Sequence, residues 1–455
     1  MRKDTKKVTR RDFLKGSALA VAGMGLSGNL LEQVPRILAV NEPPKEIIFG
    51  APYAMTGPDA MAQLQNVQAI NVAIDIVNNY HDVDLPLARG EGLPNLNGAK
   101  MRVIYSDTQG LPEKGASEAE RMITQENITW ITGGQKSSVV ATISQVAERY
   151  EVPGMYGEPS SPSLHTRGFK WFFRTGPHDL AFTQAMMEFL AEMRDAKGHD
   201  IKTVALLHED TLFGSDSANA QEQMAPEYGF EIVEKIKYRA QTTSLVSEIQ
   251  KLKSANPDVL LPTGYTTDAI LTIKTMKEQD WMPKLIVAQN AGYLDNAYIE
   301  QLGSDALYTA SRSGFDYDLG RIRPSVSYVQ DLYLKTAGYP MVETAAKTFT
   351  GIICMCDAIN RAGSTKNTDI RAALLEYELP IEQSIMPWKG IKINPETGQN
   401  DLATGIIIQL FPDESATPPE GEEGASVPPN RYFSVWPFDI AAKEVMFPVP
   451  AWSER

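Results

Sequence analysis

The sequence predicts an α/β protein made of two doubly wound parallel-sheet lobes. From residue 46 onward, short apolar runs alternate with amphipathic stretches, as in parallel strands linked by helices. This alternation forms two consecutive series, which meet near the segment WFFRTGP. The chain has 455 residues, more than the roughly 250–300 that one hydrophobic core usually holds. Two lobes therefore explain the pattern better than one long sheet.

The first series contains four predicted strands with three helices between them. The strands are EIIFGAPYAM, MRVIYSDTQ, ITWITGG and VPGMYGEP, and the helices are QNVQAINVAIDIVNNY, EKGASEAERMITQE and VVATISQVAERY. The first of these helices has its apolar residues at spacings of three and four, the period of a helix with one buried face.

The second series follows the same pattern and leads into a helical region. Its strands are TVALLHE, FEIVEKIKY, DVLLPTG and KLIVAQN, with helices such as DLAFTQAMMEFLAEMRDA and SLVSEIQKLKSA. After residue 310 we expect helices RPSVSYVQDLYLKTAG, VETAAKTFTGIICMCDAINRAG and TDIRAALLEY, then a hairpin at KGIKINPETGQND. The segment PDESATPPEGEEGASVPPN has no periodicity and is rich in Pro and Glu, which predicts a mobile surface loop.

The N-terminus is similar to a twin-arginine export signal. A basic stretch, MRKDTKKVTRRDFLKG, precedes the small and apolar SALAVAGMGLSGNLL, and Arg10 and Arg11 form the arginine pair. We predict a signal peptide over residues 1–42, export by the twin-arginine machinery and a periplasmic location. A basic cytoplasmic tail is the alternative, whereas a membrane span would need about 20 apolar residues. The G-x-G-x-x-G match in GMGLSG lies inside this signal and follows no strand, so it does not indicate nucleotide binding.

Charge and cysteine content exclude several classes of function. The formal net charge is −14, and about −19 once residues 1–40 are removed, which argues against a nucleic-acid partner. Cys354 and Cys356 are two positions apart on a predicted helix and form neither a C-x-x-C motif nor a metal pair, so we expect buried free thiols. The sequence predicts no cofactor and no metal site.

Polar loops follow most of the predicted strands. They are AMTGPDA, GGQKSSVV and GEPSSPSL in the first series, and HEDTLFG, TGYTTDA and AQNAGY in the second. Ligands of open α/β sheets bind beyond the carboxyl ends of the strands, so these loops predict a site for a small polar ligand. GGQKSS also opens a helix, whose free N–H groups favour a carboxylate.

The loops and their order resemble the leucine/isoleucine/valine-binding family. TGP, GGQKSS, P-SSPSLHTRG with the following RT, GY and AQNAG occur in the family's order from roughly residue 46 to 411. These are periplasmic type I solute-binding proteins that feed ABC importers. The resemblance implies two doubly wound lobes joined by a multi-crossing hinge, which close on an amino acid or a related small molecule, and an ABC permease in the inner membrane as partner.

The resemblance also implies lobe limits and ligand-binding residues. The N-terminal lobe would comprise residues 43–176 and about 311–385, and the C-terminal lobe residues 177–310 and about 386–455. The candidate ligand-binding residues are Ser137, Glu158, Ser160, Ser161, Tyr265, Gln289 and Asn290. Purely structural roles are the alternatives: a helix cap for Ser137, turn hydroxyls for the serine pair, packing for Tyr265 and a solvated rim position for Glu158.

One candidate departs from the family pattern. Gln289 stands where amino-acid binders place a carboxylate for the α-ammonium, so the charge-assisted hydrogen bond from the ammonium would be lost. Either Glu158 takes over this role or the ligand is not an α-amino acid.

Two other functions fit the same sequence. One is a sensor that presents its ligand to a receptor. The other is a periplasmic hydrolase that uses Ser160 or Ser161 with His165, although the chain has no G-x-S-x-G nucleophile elbow. We predict that the protein is not an enzyme.

Overall fold

The computed structural model describes residues 44–413 and 430–455. The predicted signal peptide and most of the predicted mobile loop lie outside these ranges. Among the described residues, no helix has both the length and the apolar character required to cross a membrane.

A five-stranded parallel sheet forms the first half of the fold. Its strands are β1 (Glu46–Tyr53), β2 (Lys100–Asp107), β3 (Trp130–Ile131), β4 (Gly154–Tyr156) and β5 (Phe172–Arg174). The order across the sheet is β2-β1-β3-β4-β5, and every neighbouring pair is parallel. This is the doubly wound order, in which the chain direction reverses between β1 and β3.

A seven-stranded sheet forms the second half and repeats this order. Its strands are β6 (Thr203–Glu209), β7 (Glu231–Tyr238), β8 (Val259–Thr263), β9 (Leu285–Ala288), β10 (Ala310–Ser313), β13 (Ile406–Pro412) and β14 (Asn430–Trp436). Five parallel strands run β7-β6-β8-β9-β10, and β13 and β14 add an antiparallel edge beside β10. The two predicted strand series are confirmed, whereas the antiparallel edge was not predicted.

Helices connect and cover the two sheets. They are α1 (Ala60–Asn78), α2 (Pro112–Gln125), α3 (Ser137–Arg149), α4 (Asp179–Asp195), α5 (Leu212–Glu227), α6 (Val246–Ala255), α7 (Thr266–Glu278), α8 (Asn296–Leu302), α9 (Pro324–Ala337), α10 (Glu343–Ala362) and α11 (Asn367–Leu375). Helix α10 is buried along most of its length and packs with α1 in the core of the first sheet. Its Cys354 and Cys356 are buried free thiols, as predicted, and burial raises the pKa of Cys354 to about 12.

The chain passes between the two halves three times. It leaves the first sheet after Arg174, returns to the first core after Ser313 and joins the second sheet again at Ile406. The predicted hairpin, which includes β12 (Ile391–Lys392) paired with β11 (Glu378–Leu379), lies just before the last passage. The predicted lobe limits stay a prediction. Because Trp388 and Ile391 pack in the first core, we propose that the last limit lies nearer residue 404 than 386.

Candidate functional site

A polar pocket of about 330 Å³ lies where the carboxyl ends of the two sheets face each other. Loops after β3, β4, β8 and β9, the end of β10 and the first turn of α10 contribute its walls. The residues that line it are Gln135, Ser137, Glu158, Ser160, Phe213, Tyr265, Asn290, Ala291, Arg312, Glu343, Thr344 and Lys347. Five of the seven predicted residues are therefore brought together here, and Ser161 and Gln289 are not.

Helix α3 presents Ser137 to the pocket from the first lobe. The loop before it turns through Gly133 and Gly134, whose φ angles are 102° and 90°. A Cβ on Gly133 would lie 2.4 Å from the Pro52 carbonyl oxygen, so this turn requires glycine. The cap of the helix is Lys136, so the interpretation of Ser137 as the N-cap is wrong. The Ser137 hydroxyl accepts a hydrogen bond of 3.4 Å from the Ser161 amide.

Glu158 is buried and is held within the first lobe. Its Oε1 accepts hydrogen bonds from the Tyr53 hydroxyl at 2.6 Å and from the Thr348 hydroxyl. Its Oε2 accepts one from the Gly157 amide at 3.2 Å. Burial and the adjacent carboxylate raise the pKa of Tyr53 well above its ordinary value, so this phenol remains a donor. The alternative of a solvated rim carboxylate is wrong.

The second lobe approaches the pocket with a strained turn and an aromatic ring. Asn290 and Ala291 have φ angles of 72° and 57°, a region that side chains other than glycine occupy at a cost. The next residue must be glycine, because a Cβ on Gly292 would lie 2.2 Å from the backbone carbon of Tyr265. Tyr265 is buried and precedes α7, and the Lys136 ammonium lies 4.6 Å from the centre of its ring. This contact joins the two lobes.

A buried ion cluster of Arg312, Glu343 and Lys347 forms another wall. Glu343 Oε1 lies 3.1 Å from Arg312 Nη1 and 3.0 Å from Lys347 Nζ. The same oxygen accepts a 2.9 Å hydrogen bond from the Gly314 amide, and Oε2 accepts one from Asn290. Burial alone would raise the pKa of Glu343, but Lys347 and Arg312 lower it below its ordinary value. Glu343 is therefore ionised at neutral pH.

The sequence analysis missed this cluster. Glu343 and Lys347 are four residues apart at the start of a helix predicted from its apolar period. Charges in a first helical turn are usually solvated, so their burial gave no local signal. The one usable signal is that both fall on an otherwise apolar face of α10.

Gln289 lies behind the pocket instead of in its wall. Its amide donates a 3.2 Å hydrogen bond to Asp179 Oδ1 and accepts one of 3.1 Å from Gln221. Burial raises the pKa of Asp179, which also lies 3.8 Å from Arg312 Nη2. Gln289 therefore has two buried protein partners and does not reach the pocket.

Two buried polar atoms of the pocket residues are left without a hydrogen-bond partner within the described ranges. They are the Asn290 Oδ1 acceptor and the Arg312 Nε donor. Lys347 adds a further donor, because its three N–H groups have two acceptors in reach: Glu343 and the Glu158 carbonyl oxygen at 3.4 Å. The same ranges contain no group of three or more His, Cys, Asp or Glu side chains suited to a metal ion.

Ser161 joins the lobes from beneath the pocket. Its hydroxyl donates to Asp216 Oδ2 on α5 of the second lobe. The same oxygen accepts from the Ser163 hydroxyl at 2.5 Å and from the Ser163 amide at 3.3 Å. We call these three hydrogen bonds the Asp216 contact. They occupy Ser161 with lobe closure rather than with a ligand.

The alternative of a serine hydrolase loses its proposed base. His165 Nδ1 accepts a 2.5 Å hydrogen bond from Arg174, and its ring lies 5.0 Å from that of His178. Ser160 and Ser161 bond to carboxylates, Asp179 and Asp216. No Ser–His pair forms among these residues.

The two histidines make stability depend on pH. Burial and the charge of Arg174 lower the pKa of His165 to about 4 and that of His178 to about 3. Both lie below the roughly 6.5 of an unfolded chain, so between these values the unfolded chain binds more protons. The free energy of unfolding should therefore fall as the pH drops from about 6.5 towards 4. Urea unfolding across this range measures the slope, which should be smaller for His165→Gln. The difference between the two proteins at pH 8 isolates lost contacts, and an unchanged slope would contradict the prediction.

Two facing doubly wound sheets, a hinge crossed three times and a buried polar pocket between them define a two-lobed ligand-capture protein. The model of the periplasmic binding protein family matches residues 46–404, and the chain belongs to this family. A twin-arginine translocation signal matches residues 7–27, so the protein is exported to the periplasm.

Related proteins agree with the predicted resemblance, which is confirmed. Leu/Ile/Val-binding protein homolog 7 of Brucella abortus is 24% identical over 395 residues, covering 82% of this chain and 92% of that protein. An ABC-transporter solute-binding protein from Rhodopseudomonas palustris, solved with 3,4-dihydroxybenzoic acid, has a TM-score of 0.69 at 18% identity and covers 90% of this chain and 100% of its own. A branched-chain amino acid transporter substrate-binding protein from Streptococcus pneumoniae, solved with isoleucine, has a TM-score of 0.64 at 16% identity, covering 80% and 99%. The two solved structures share the fold.

Proposed function

We propose that this protein captures a small organic carboxylate between its lobes and delivers it to an ABC permease of the inner membrane, after export by the twin-arginine machinery. Capture involves lobe closure and no covalent step. The observation that carries the proposal is the mismatch of free donors and acceptors in the pocket.

The free groups of the pocket suit an anion. Lys347 and Arg312 offer donors without acceptors, and the Ser137 hydroxyl faces the same space. A buried donor left unpaired costs about 1–3 kcal/mol, so a ligand that supplies acceptors is favoured. Asn290 Oδ1 is the one free acceptor among the pocket atoms described above, and it suits a hydroxyl or amide donor. A hydroxycarboxylate meets all of these needs.

An α-amino acid is the second candidate, favoured by the names of the relatives and by the isoleucine of one structural neighbour. Its ammonium would need an ionised acceptor. Glu343 already has Arg312, Lys347, Gly314 and Asn290 as partners, and Glu158 is held by its own lobe. A hydroxyl in place of the ammonium removes this need.

A matched pair of ligands separates the two candidates. L-Leucine and (S)-2-hydroxy-4-methylpentanoate have the same shape and differ in the ammonium or hydroxyl group alone. The protein, unfolded and refolded to remove copurified ligand, is heated with each compound. At 100 times its dissociation constant a ligand adds about 2.7 kcal/mol of stability, which raises the midpoint clearly. A larger shift with the hydroxy acid supports the proposal, and a larger shift with leucine overturns it.

Ser137→Ala tests the head-group site. We expect binding to weaken by about 1 kcal/mol, or roughly fivefold, through the loss of one hydrogen bond to a charged group. Isothermal titration measures the change. Ser138→Ala, on the next residue of α3 and outside the pocket lining, is the matched control. Equal affinity for wild type and Ser137→Ala would remove this hydroxyl from the ligand site.

A further inference from the structure

A larger and more apolar cavity adjoins the polar pocket. It has a volume of about 710 Å³ and lies between the second sheet, α8 and the segment that leads into α10. Its apolar walls include Leu294, Ile299, Phe315, Met341, Ile408 and Tyr432. We call it the apolar chamber. Protein interiors rarely keep apolar space much larger than a water molecule, so a chamber of this size is suited to an occupant.

The chamber is continuous with the polar pocket. A passage of about 240 Å³ shares Gln135, Ala291 and Thr344 with the pocket. The same passage shares Leu294 and Val342 with the chamber. Glu343 borders all three spaces. A ligand whose head lies near Ser137 can therefore extend past Glu343 into the chamber.

The charged residues on the chamber wall already have partners. Arg431 lies 2.9 Å from Asp318 and 3.0 Å from Asp413. Asp316 accepts a 2.9 Å hydrogen bond from the Asp318 amide, and burial raises its pKa. With these charges compensated, the remaining wall favours a hydrocarbon surface over a second charged group.

We infer that the ligand is a carboxylate with an extended apolar body, either an alkyl chain or an aromatic ring on a short chain. Its head occupies the polar pocket and its body passes through to the apolar chamber. This inference rests on the proposed function, because the head group fixes which end enters the chamber. A leucine-sized side chain is too short to use the chamber, so this ligand class differs from the branched-chain amino acids of the relatives.

A homologous series of ligands tests the inference. Calorimetry compares 2-hydroxybutanoate, 2-hydroxyhexanoate and 2-hydroxyoctanoate on the refolded protein. Each buried methylene should tighten binding about fourfold, and the four added between the first and last acids should tighten it on the order of a hundredfold. Binding of the short acid with a flat or falling trend overturns the chamber and leaves the proposed function intact. If none of the acids binds and L-leucine does, the proposed function fails.

Obstruction of the chamber provides the second test. Ile408→Trp would fill the chamber from β13, and Leu294→Trp would close the passage. Each should abolish the gain from chain length and leave the affinity for 2-hydroxybutanoate within about twofold, because the head group stays in place. Ile406→Trp is the control, since Ile406 lies in the same hydrophobic cluster and does not line the chamber. Thermal midpoints without ligand report whether each variant folds, and two independent obstructing sites keep the test valid if one does not. Unchanged tightening with chain length in a folded obstructing variant overturns the inference.

Discussion

Glu343→Gln should destabilise the folded protein by about 3–5 kcal/mol, because removal of one member of a buried ion cluster leaves its partners' charges uncompensated. Arg312 and Lys347 are each 2% exposed, so water cannot replace the lost carboxylate. Asp179, 3.8 Å from Arg312, provides a partial counter-charge for one of the two cations. Lys347 would keep the Glu158 carbonyl oxygen as a neutral acceptor.

Urea unfolding monitored by fluorescence measures the effect as a lower midpoint with an unchanged slope. Glu120→Gln is the matched control: Glu120 pairs with Arg149 on the surface, where loss of an ion pair costs about 1 kcal/mol or less. The double variant Glu343→Gln, Lys347→Met should recover part of the lost stability, since it removes a stranded cation together with the carboxylate. Equal midpoints for wild type and Glu343→Gln would show that the cluster is not what compensates these charges.

Asp216→Ala should release bound ligand roughly 10 to 100 times faster, corresponding to a loss of about 1.5–3 kcal/mol from hydrogen bonds to a charged group. The Asp216 contact joins the loop after β4 to α5, and these groups belong to different lobes. It therefore stabilises the closed arrangement without touching the ligand. An interaction that favours one conformation shifts the population by its differential free energy.

Stopped-flow displacement of bound ligand measures the release rate directly. The association rate should change far less, because the open lobes meet the ligand before this contact forms. Asp331→Ala, which removes an exposed carboxylate on α9, controls for net charge. Ser163→Ala removes one of the three hydrogen bonds and should give an intermediate rate. If release from Asp216→Ala is as slow as from wild type, closure does not depend on this contact.

The fold was predictable because local pattern and burial agree along most of the chain. Parallel strands buried on both faces are short apolar runs, and the helices between them carry the helical period. The position of the site followed from the same pattern, since polar loops at strand ends meet between the lobes. Ser137 and Tyr265 were found in this way, and both line the pocket.

The parts that were not predicted depend on residues far apart in the sequence. Gln289 is turned away from the pocket by Asp179 and Gln221, which lie 110 and 68 positions from it. Ser161 is engaged by Asp216, 55 positions away on the other lobe. The burial of Glu343 requires Arg312 from a neighbouring strand. A single sequence has no local pattern that encodes such pairs.

The location of the ion cluster determines what closure costs. Arg312 belongs to the second sheet, whereas Glu343 and Lys347 belong to the helix packed on the first, so separation of the lobes returns these groups to water. The hydration regained on opening offsets much of the attraction gained on closing. The cluster therefore aligns the two lobes without locking them together, and the ligand supplies the balance that keeps them shut. In transport terms, the closed shape serves as a report of cargo, so a permease that recognises this shape would not spend a transport cycle on an empty carrier.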